Sequence, residues 1–378
     1  MRRFGRLLGV LVVGMVILAG CGAGSGSGAT SGATSGATRL SQDKLMSTAA
    51  EKVAAATSLT PTFPVPKAGF EAGTGTIAVI AGGLSAPVHA EQAEVMKKAV
   101  TAAGWTVLGP YDGKFSPAVQ GGYIDQAIQA RANGVLLFAV DVNTIRAAVD
   151  RALGAKIVVA CAMCTSGDQA RAKGVLDVTP DFERQGEDLG WFIVQRSKGA
   201  AKVAITVEPA ATGVVARTRG LEKVLDQCAG CSYNEIVIPA ADSTLPGPPQ
   251  WTAFLSAHPS GYTDAVAYYD GLTTPMTKTL RESGRTDVTV SSYDADPAVL
   301  SLMAKGSAQL GADVASPLDF ASWSAVDLVL RSKAGAARWD TTNLPSVLLT
   351  GKNIAGFTPP LQPAGDWHKT FTTLWTSS

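Results

Sequence analysis

From residue 76 onward the chain alternates short β-branched runs with helical stretches, and that alternation limits the fold more than any single motif does. Strands are expected at 76–81, 106–108, 134–140 and 156–162, with helices at 87–103, 117–133 and 143–154 between them. In the first of these helices Ala90, Ala93, Met96, Ala99 and Val100 recur at steps of three and four, a stripe that packs on a sheet. The rhythm then repeats, with strands at 174–178, 202–207, 234–239, 265–269, 288–293 and 312–315. Helices are expected at 181–197, 213–227, 248–257, 271–283, 297–305 and 319–333. A late strand at 346–350 precedes a Pro-rich tail and a last segment at 367–375. Elements in this order make βαβ units and parallel sheets covered on both faces. The length exceeds the ~250–300 residues that one core supports. The expected class is therefore α/β, with two doubly wound parallel-sheet lobes.

The first residues do not join this pattern. Arg2, Arg3 and Arg6 precede an apolar run over 7–20, the order of a secretory signal. At helical rise this run covers about 21 Å, short of the ~30 Å hydrocarbon core. Leu18-Ala19-Gly20-Cys21 resembles the lipobox of bacterial lipoproteins. The resemblance implies cleavage before Cys21, diacylation of its sulfur and acylation of the new amino terminus, and two or more chains anchor stably. An ordinary secretory peptide with a coincidental cysteine is the alternative.

Residues 22–38 hold only Gly, Ala, Ser and Thr. They cannot bury enough surface to fold, and make a flexible spacer reaching about 23 Å. A helix is expected at 41–58, with Leu45, Met46, Ala49 and Val53 on one face, before Pro61, Pro64 and Pro66 impose an extended crossing. The expected layout is a leader at 1–20, a linker at 21–39, and the helix with its crossing at 40–73. The first lobe is expected from 74–163 plus 316–344, and the second from 164–315 plus 345–378. Chain crossings between the lobes are expected near 164–172, 295–316 and 343–350. The folded part is expected outside the cell, held at the outer face of the membrane through Cys21.

From Cys21 on, 29 bases stand against 31 acids, which argues against a broad nucleic-acid footprint. Beyond Cys21 the cysteines form two close pairs, Cys161-Ala-Met-Cys164 and Cys228-Ala-Gly-Cys231. An even count outside the cytoplasm supports disulfides, and two local bridges are expected, although four cysteines allow three pairings. A four-thiolate zinc site uses the same spacing, but these halves stand on different elements. Nothing around either pair marks thioredoxin-like chemistry.

In an open parallel sheet, ligands bind beyond the carboxyl ends of the strands, and in two lobes those ends can face each other across a cleft. The residues so placed are Ser85, His89, Asp141 and Cys161 in the first half, and Glu208, Arg217, Tyr269, Asp270 and Asp294 in the second. This polar, mixed-charge set suits a small ligand rich in hydroxyls, or one carrying both charges. Asp141 and Asp270 could equally start helices. His89 could be a solvated first-turn residue, and either Arg217 or Arg219 could cap local carbonyls.

The stretch "GTIAVIAGGLSAPVHAEQAEVMKKAVTAAGWTV", continued by "QAIQARANGVLLFAVDVNTIRAAVDRALGAKIVVACA", resembles the opening lobe of type I solute-binding proteins, the ribose-binding family of sugar ABC transporters. In the second half "ARTRGLEKVL" resembles that family's Arg-x-Arg-Gly helix start, and "AYYDGLTTPM" and "SSYDADPAVLSLMAKG" resemble its next two cleft loops. The likeness spans about residues 75–350. It implies that Arg217 donates to sugar hydroxyls and that Asp294 accepts from them. Tyr269, beside Asp270, stands where the family usually has asparagine. Cys161-Ala-Met-Cys164 departs from the family's usual acid or base pair after the fourth strand. No aromatic follows the first strand, where Phe often stacks on a sugar; Tyr269, Tyr293, Tyr111 and Trp251 are the candidates to replace it.

The resemblance implies a lipid-tethered receptor of an ABC importer that closes its lobes on a small polar solute, first of all a sugar, without chemistry. Its partners are that solute, an ABC permease and, through Cys21, the membrane. A monomer is expected, with no nucleic acid, cofactor or metal. A sensor of the same fold, presenting its closed form to a signalling membrane protein, is the alternative. An extracellular hydrolase finds no His-Glu-x-x-His or Gly-x-Ser-x-Gly in support. A repressor core of this fold lacks a preceding helix-turn-helix.

Overall fold

The computed structural model describes residues 38–164 and 174–377. The leader, Cys21, most of the linker and most of the expected crossing at 164–172 lie outside the described residues. The strands are β1 (Thr76–Ala81), β2 (Thr106–Asp112), β3 (Gly134–Phe138), β4 (Val158–Ala162), β5 (Leu176–Pro180), β6 (Lys202–Val207), β7 (Ser232–Val237), β8 (Asp264–Val266), β9 (Thr289–Tyr293), β10 (Leu310–Ala315), β11 (Thr342–Leu344) and β12 (Val347–Thr350). They form two six-stranded sheets, ordered β2-β1-β3-β4-β5-β11 and β7-β6-β8-β9-β10-β12. Neighbouring strands pair in parallel except β10 with β12. In each sheet the order reverses between the first and third strands, the switch point where ligand crevices open.

The helices are α1 (Gln42–Ala56), α2 (Pro87–Ala102), α3 (Pro117–Gln129), α4 (Arg146–Gly154), α5 (Phe182–Ser197), α6 (Thr212–Leu225), α7 (Pro249–Ala257), α8 (Asp270–Glu282), α9 (Pro297–Ala304), α10 (Leu318–Ala334) and α11 (Trp367–Leu374). The alternating pattern of the sequence is thus realised as two doubly wound α/β lobes. Each apolar stripe finds its sheet: Ala93, Met96, Ala99 and Val100 of α2 are buried with Ile77, Val79 and Leu136. On α1, Leu45, Ala49 and Val53 are buried against Leu189, Trp191 and Ile193 of the second lobe.

Two lobe boundaries differ from expectation. The strand expected at 174–178 was assigned to the second lobe, but β5 pairs with β4 in the first sheet and Val178 is buried in that lobe's core. The chain therefore crosses between β5 and α5 rather than near 164–172. A strand is drawn to whichever sheet offers a free edge, and a sequence run does not name that edge. The tail at 345–378 was expected wholly in the second lobe. β12, Ile354 and Leu361 are there, the last two buried with Val299 and Met303, but Trp367, Phe371 and Trp375 pack around Phe320 and Trp323 in the first-lobe core. The remaining crossings fall between β10 and α10, at the very end of the expected 295–316, and between β11 and β12, within 343–350.

Helices α5 and α6 cross at two glycines. A Cβ on Gly186 would lie 1.9 Å from the Arg217 carbonyl oxygen, and one on Gly220 would lie 1.9 Å from that of Glu183. Backbone cannot yield as a side-chain tip can, so Gly220→Ala should cost roughly 1–3 kcal/mol, measurable by denaturant melts. A variant that melts like the wild type would mean that the helices separate freely. Each CxxC pair closes on itself, with sulfurs 1.86 Å apart in Cys161–Cys164 and 2.08 Å apart in Cys228–Cys231.

Candidate functional site

Loops at the carboxyl ends of both sheets enclose a cavity of about 140 Å³, room for one small solute. Its first-lobe wall is largely apolar, His89 and Asp141 apart: Phe138 ends β3, Met163 and Cys164 follow β4, and Phe115 comes from the turn after β2. Lys114 and Phe115 take left-handed backbone angles, φ 52° and 50°. The turn lays the Phe115 ring over Gly83, where a Cβ would meet it at 2.6 Å. The aromatic missing after the first strand is thus supplied from the loop after the second.

His89, in the first turn of α2, packs its ring 5.4 Å from Phe115 and 5.6 Å from Phe138, centroid to centroid. The Gly83 N–H donates to its Nδ1 at 3.2 Å. Burial pushes its pKa down to about 4, against the pull of Asp294. The ring is therefore neutral at pH 7, with its proton on Nε2.

The second-lobe wall carries the polar groups. Glu208 accepts from the Ala210 N–H at 3.0 Å and the Ala240 N–H at 2.6 Å. The Ser243 hydroxyl donates to the Ala240 carbonyl, so Tyr269 donates to Ser243, at 2.8 Å. At the base lies Arg217, 5% exposed. Its Nε donates to Gln185 at 2.9 Å, Nη1 to the Tyr268 carbonyl at 3.1 Å and to Asp294 at 3.5 Å, and Nη2 to Asp294 at 2.5 Å and Ser316 at 3.5 Å. A guanidinium has five N–H donors, and all five meet protein acceptors. Its carbon also sits 4.4 Å from the Tyr293 ring centre and 5.0 Å from that of Phe182. Arg217 lines the cavity as the resemblance implied, but its donors hold Asp294 rather than pointing free at a solute.

Asp294 sits at φ 99°, an uncommon angle for a residue with a side chain. Its loop is tied down from behind. Asp313 accepts from the Ala295 N–H at 3.0 Å, Asp270 accepts from the Asp296 N–H at 2.5 Å, and Ser292 hydrogen-bonds to both carboxyl groups. Burial pushes Asp313 up to about 6. Burial, then the charge of Asp313, raises Asp270 well above the carboxylate range. Raised folded-state values favour the protonated fold. The contribution of Asp313 to stability is complete below its ordinary 3.8 and fades as pH rises through about 6. Asp313→Asn keeps an acceptor for Ala295 without the charge. Between about pH 4 and 6 the wild type should lose stability relative to this variant; parallel curves would refute the buried pair.

Asp141 joins the lobes. Its Oδ1 accepts from Asn143 N–H at 2.8 Å, and its Oδ2 reaches across to the Thr212 N–H, the first residue of α6, at 2.7 Å. It does not start a helix, the alternative weighed for it: the helix that follows begins at Arg146, with Ile145 before it as cap residue.

Of the residues singled out in the sequence, His89, Asp141, Glu208, Arg217, Tyr269 and Asp294 are brought together on the cavity wall. Three are not. Cys161 is fully buried in the first-lobe core, and its partner Cys164 faces the cavity instead. Strand alternation turns adjacent side chains to opposite faces, and β4 turns Cys161 inward. Ser85 is exposed and borders a neighbouring recess. Asp270 borders the same recess, and its carboxylate is spent behind the Asp294 loop; Tyr269, not Asp270, precedes α8 as its cap residue. Of the stacking candidates, Trp251 and Tyr293 are core residues and Tyr111 stacks on Tyr123. Phe115, Phe138, Met163 and Phe182 on the wall, and Gln185 and Ser316 behind it, were not anticipated. The Asp-Gly-Lys-Phe turn at Phe115 is the one local signal that could have shown itself.

A family model described as a periplasmic binding protein domain matches residues 77–335. No curated protein matches the sequence. Among solved structures, an ABC transporter solute-binding protein from Agrobacterium vitis with bound allitol superposes at TM-score 0.66 with 19% identity, over 75% of this chain and 97% of that one. One from Mycobacterium smegmatis with bound glycerol gives 0.67 and 18%, over 75% and 96%. A sugar ABC transporter structure from Yersinia enterocolitica gives 0.67 and 20%, over 84% and 99%. At such identities the likeness is one of fold.

Proposed function

The chain belongs to the periplasmic binding protein family, a family of solute binders and not of enzymes, and from that premise we propose that it is the receptor of an ABC importer. It takes a small hydroxylated solute, of the sugar or polyol class, between its lobes and offers the closed form to a permease. Acyl chains on Cys21 hold it at the outer face of the membrane, with the Gly/Ser/Ala/Thr segment as its leash. In that compartment both CxxC pairs are oxidised and the Cys21 sulfur is acylated, so alkylation after denaturation should find no free thiol.

The observation that carries this reading is a cavity walled by both lobes and bridged by Asp141 of one to Thr212 of the other. A solute held there contacts both lobes only when they are closed, which shifts the population toward closure. Structures of the same fold with allitol and glycerol bound support the solute class. Small-angle scattering on the full-length protein, with and without a saturating sugar or polyol from a thermal-shift screen, tests it. The radius of gyration should fall on saturation. An unchanged radius with a solute demonstrably bound would overturn closure.

A further inference from the structure

The charges around the cavity do not balance without a guest. Resting on the reading above and narrowing its solute class, we propose that the solute is a sugar or polyol bearing one ammonium group. Three carboxylates line the cavity, Asp141, Glu208 and Asp294, against the single guanidinium of Arg217. Arg217 meets Asp294 directly, at 2.5 Å. Asp141 is met in part by the start of α6, whose first N–H it accepts at 2.7 Å; a helix start carries about half a positive charge. Glu208 is met only by two neutral backbone amides, with no cation paired to it among the described residues. His89 adds nothing positive, because its buried ring is neutral at pH 7. Closing the lobes over this surplus removes carboxylate charge from water, which is costly unless a cation enters with it.

A second observation asks for more than a bare cation. His89 is only 9% exposed, and its Nδ1 is occupied by the Gly83 N–H. The Nε2–H has no protein acceptor among the described residues. His89 lines the cavity, so a hydroxyl oxygen of the solute can accept from this N–H. Phe115, Phe138 and Met163 complete the wall with an apolar surface that suits the C–H face of a ring or carbon chain. An inorganic cation leaves His89 and this wall unmatched, and a neutral sugar leaves the charge on Glu208 uncompensated.

The test compares matched amine and hydroxyl twins by isothermal titration on the full-length protein at about pH 6, where such amines are protonated. The pairs are glucosamine with glucose, galactosamine with galactose, and glucamine with sorbitol, with N-acetylglucosamine as a neutral control. At least one amine should bind about tenfold or more tighter than its twin, ~1.4 kcal/mol, and N-acetylation should abolish the advantage. Glu208→Gln should bring that ratio toward parity. A hydroxyl twin that binds as tightly as its amine in every pair, or no amine bound at all, overturns the proposal. Lobe closure on a neutral sugar without amine preference would remove the charge inference and leave the cleft reading standing. A solute bound without closure would instead remove the cleft reading.

Discussion

Replacing Arg217 with alanine should cost the protein about 3–5 kcal/mol before any solute is added. At ~2–4 °C per kcal/mol for chains of this size, the melting temperature should fall by roughly 10 °C. The guanidinium is spent inside the protein, on Gln185, Ser316, the Tyr268 carbonyl and both oxygens of Asp294. Removing it strands Asp294, 13% exposed at its side chain, without a counter-ion in a loop already held at an unfavourable φ. It also empties the space beside Phe182 and Tyr293. Pairing Arg217→Met with Asp294→Asn removes both charges and should restore at least half of the loss, since an unpaired buried charge costs more than an absent pair. A ligand-contacting arginine predicts the opposite pattern, in which Arg217→Ala leaves the apo melting temperature within ~0.5 kcal/mol of wild type and loses only the stabilisation by solute. Thermal melts of both variants, with and without solute, separate the two.

Asp327→Ala should be as damaging, at a place far from the cavity. Its carboxylate, fully buried in α10, accepts from Arg331 Nε at 2.6 Å, Trp339 Nε1 at 2.7 Å and Trp375 Nε1 at 2.8 Å. The Arg331 guanidinium lies 4.6 Å from the Phe70 ring centre and is itself buried. One acid thus ties together α10, the chain leading into β11, the C-terminal helix and the segment before β1. Alanine leaves a buried arginine without its partner, about 3–5 kcal/mol, and two indole N–H groups without acceptors. Trp375→Phe removes one hydrogen bond and should cost only about 1 kcal/mol. Limited proteolysis should cut the Asp327→Ala protein between β12 and α11, where the tail runs back to the first lobe, and release α11. Intact tails under conditions that leave the wild type uncut would show that aromatic packing alone holds the helix.

Much of the candidate site could be read from the chain because ligand crevices follow strand ends, and strand ends follow from pattern. His89, Asp141, Arg217, Tyr269 and Asp294 all came from that rule and all line the cavity. The rule is blind to direction. It could not tell that Cys161 faces the core while Cys164 faces the cleft, nor that Asp270 turns away to hold a loop. It was also blind to side chains that arrive from turns. Phe115 reaches the cavity only because two consecutive residues adopt left-handed angles, and nothing in a strand-helix pattern announces them.

The sequence by itself determined the class, two doubly wound α/β lobes, because periods of two and of about three and a half residues are local properties that any alternating chain displays. It also located most strands to within a few residues, and so the side of the sheets on which the cavity opens. Only the tertiary structure decided which sheet took β5 and which lobe took the C-terminal helix, since edges and grooves are shared choices made between distant segments. It alone decided that Arg217 is spent on Asp294. Five donors on one side chain can serve a solute or the protein, and which acceptors come within about 3 Å depends on how α5, α6, β9 and β10 pack together.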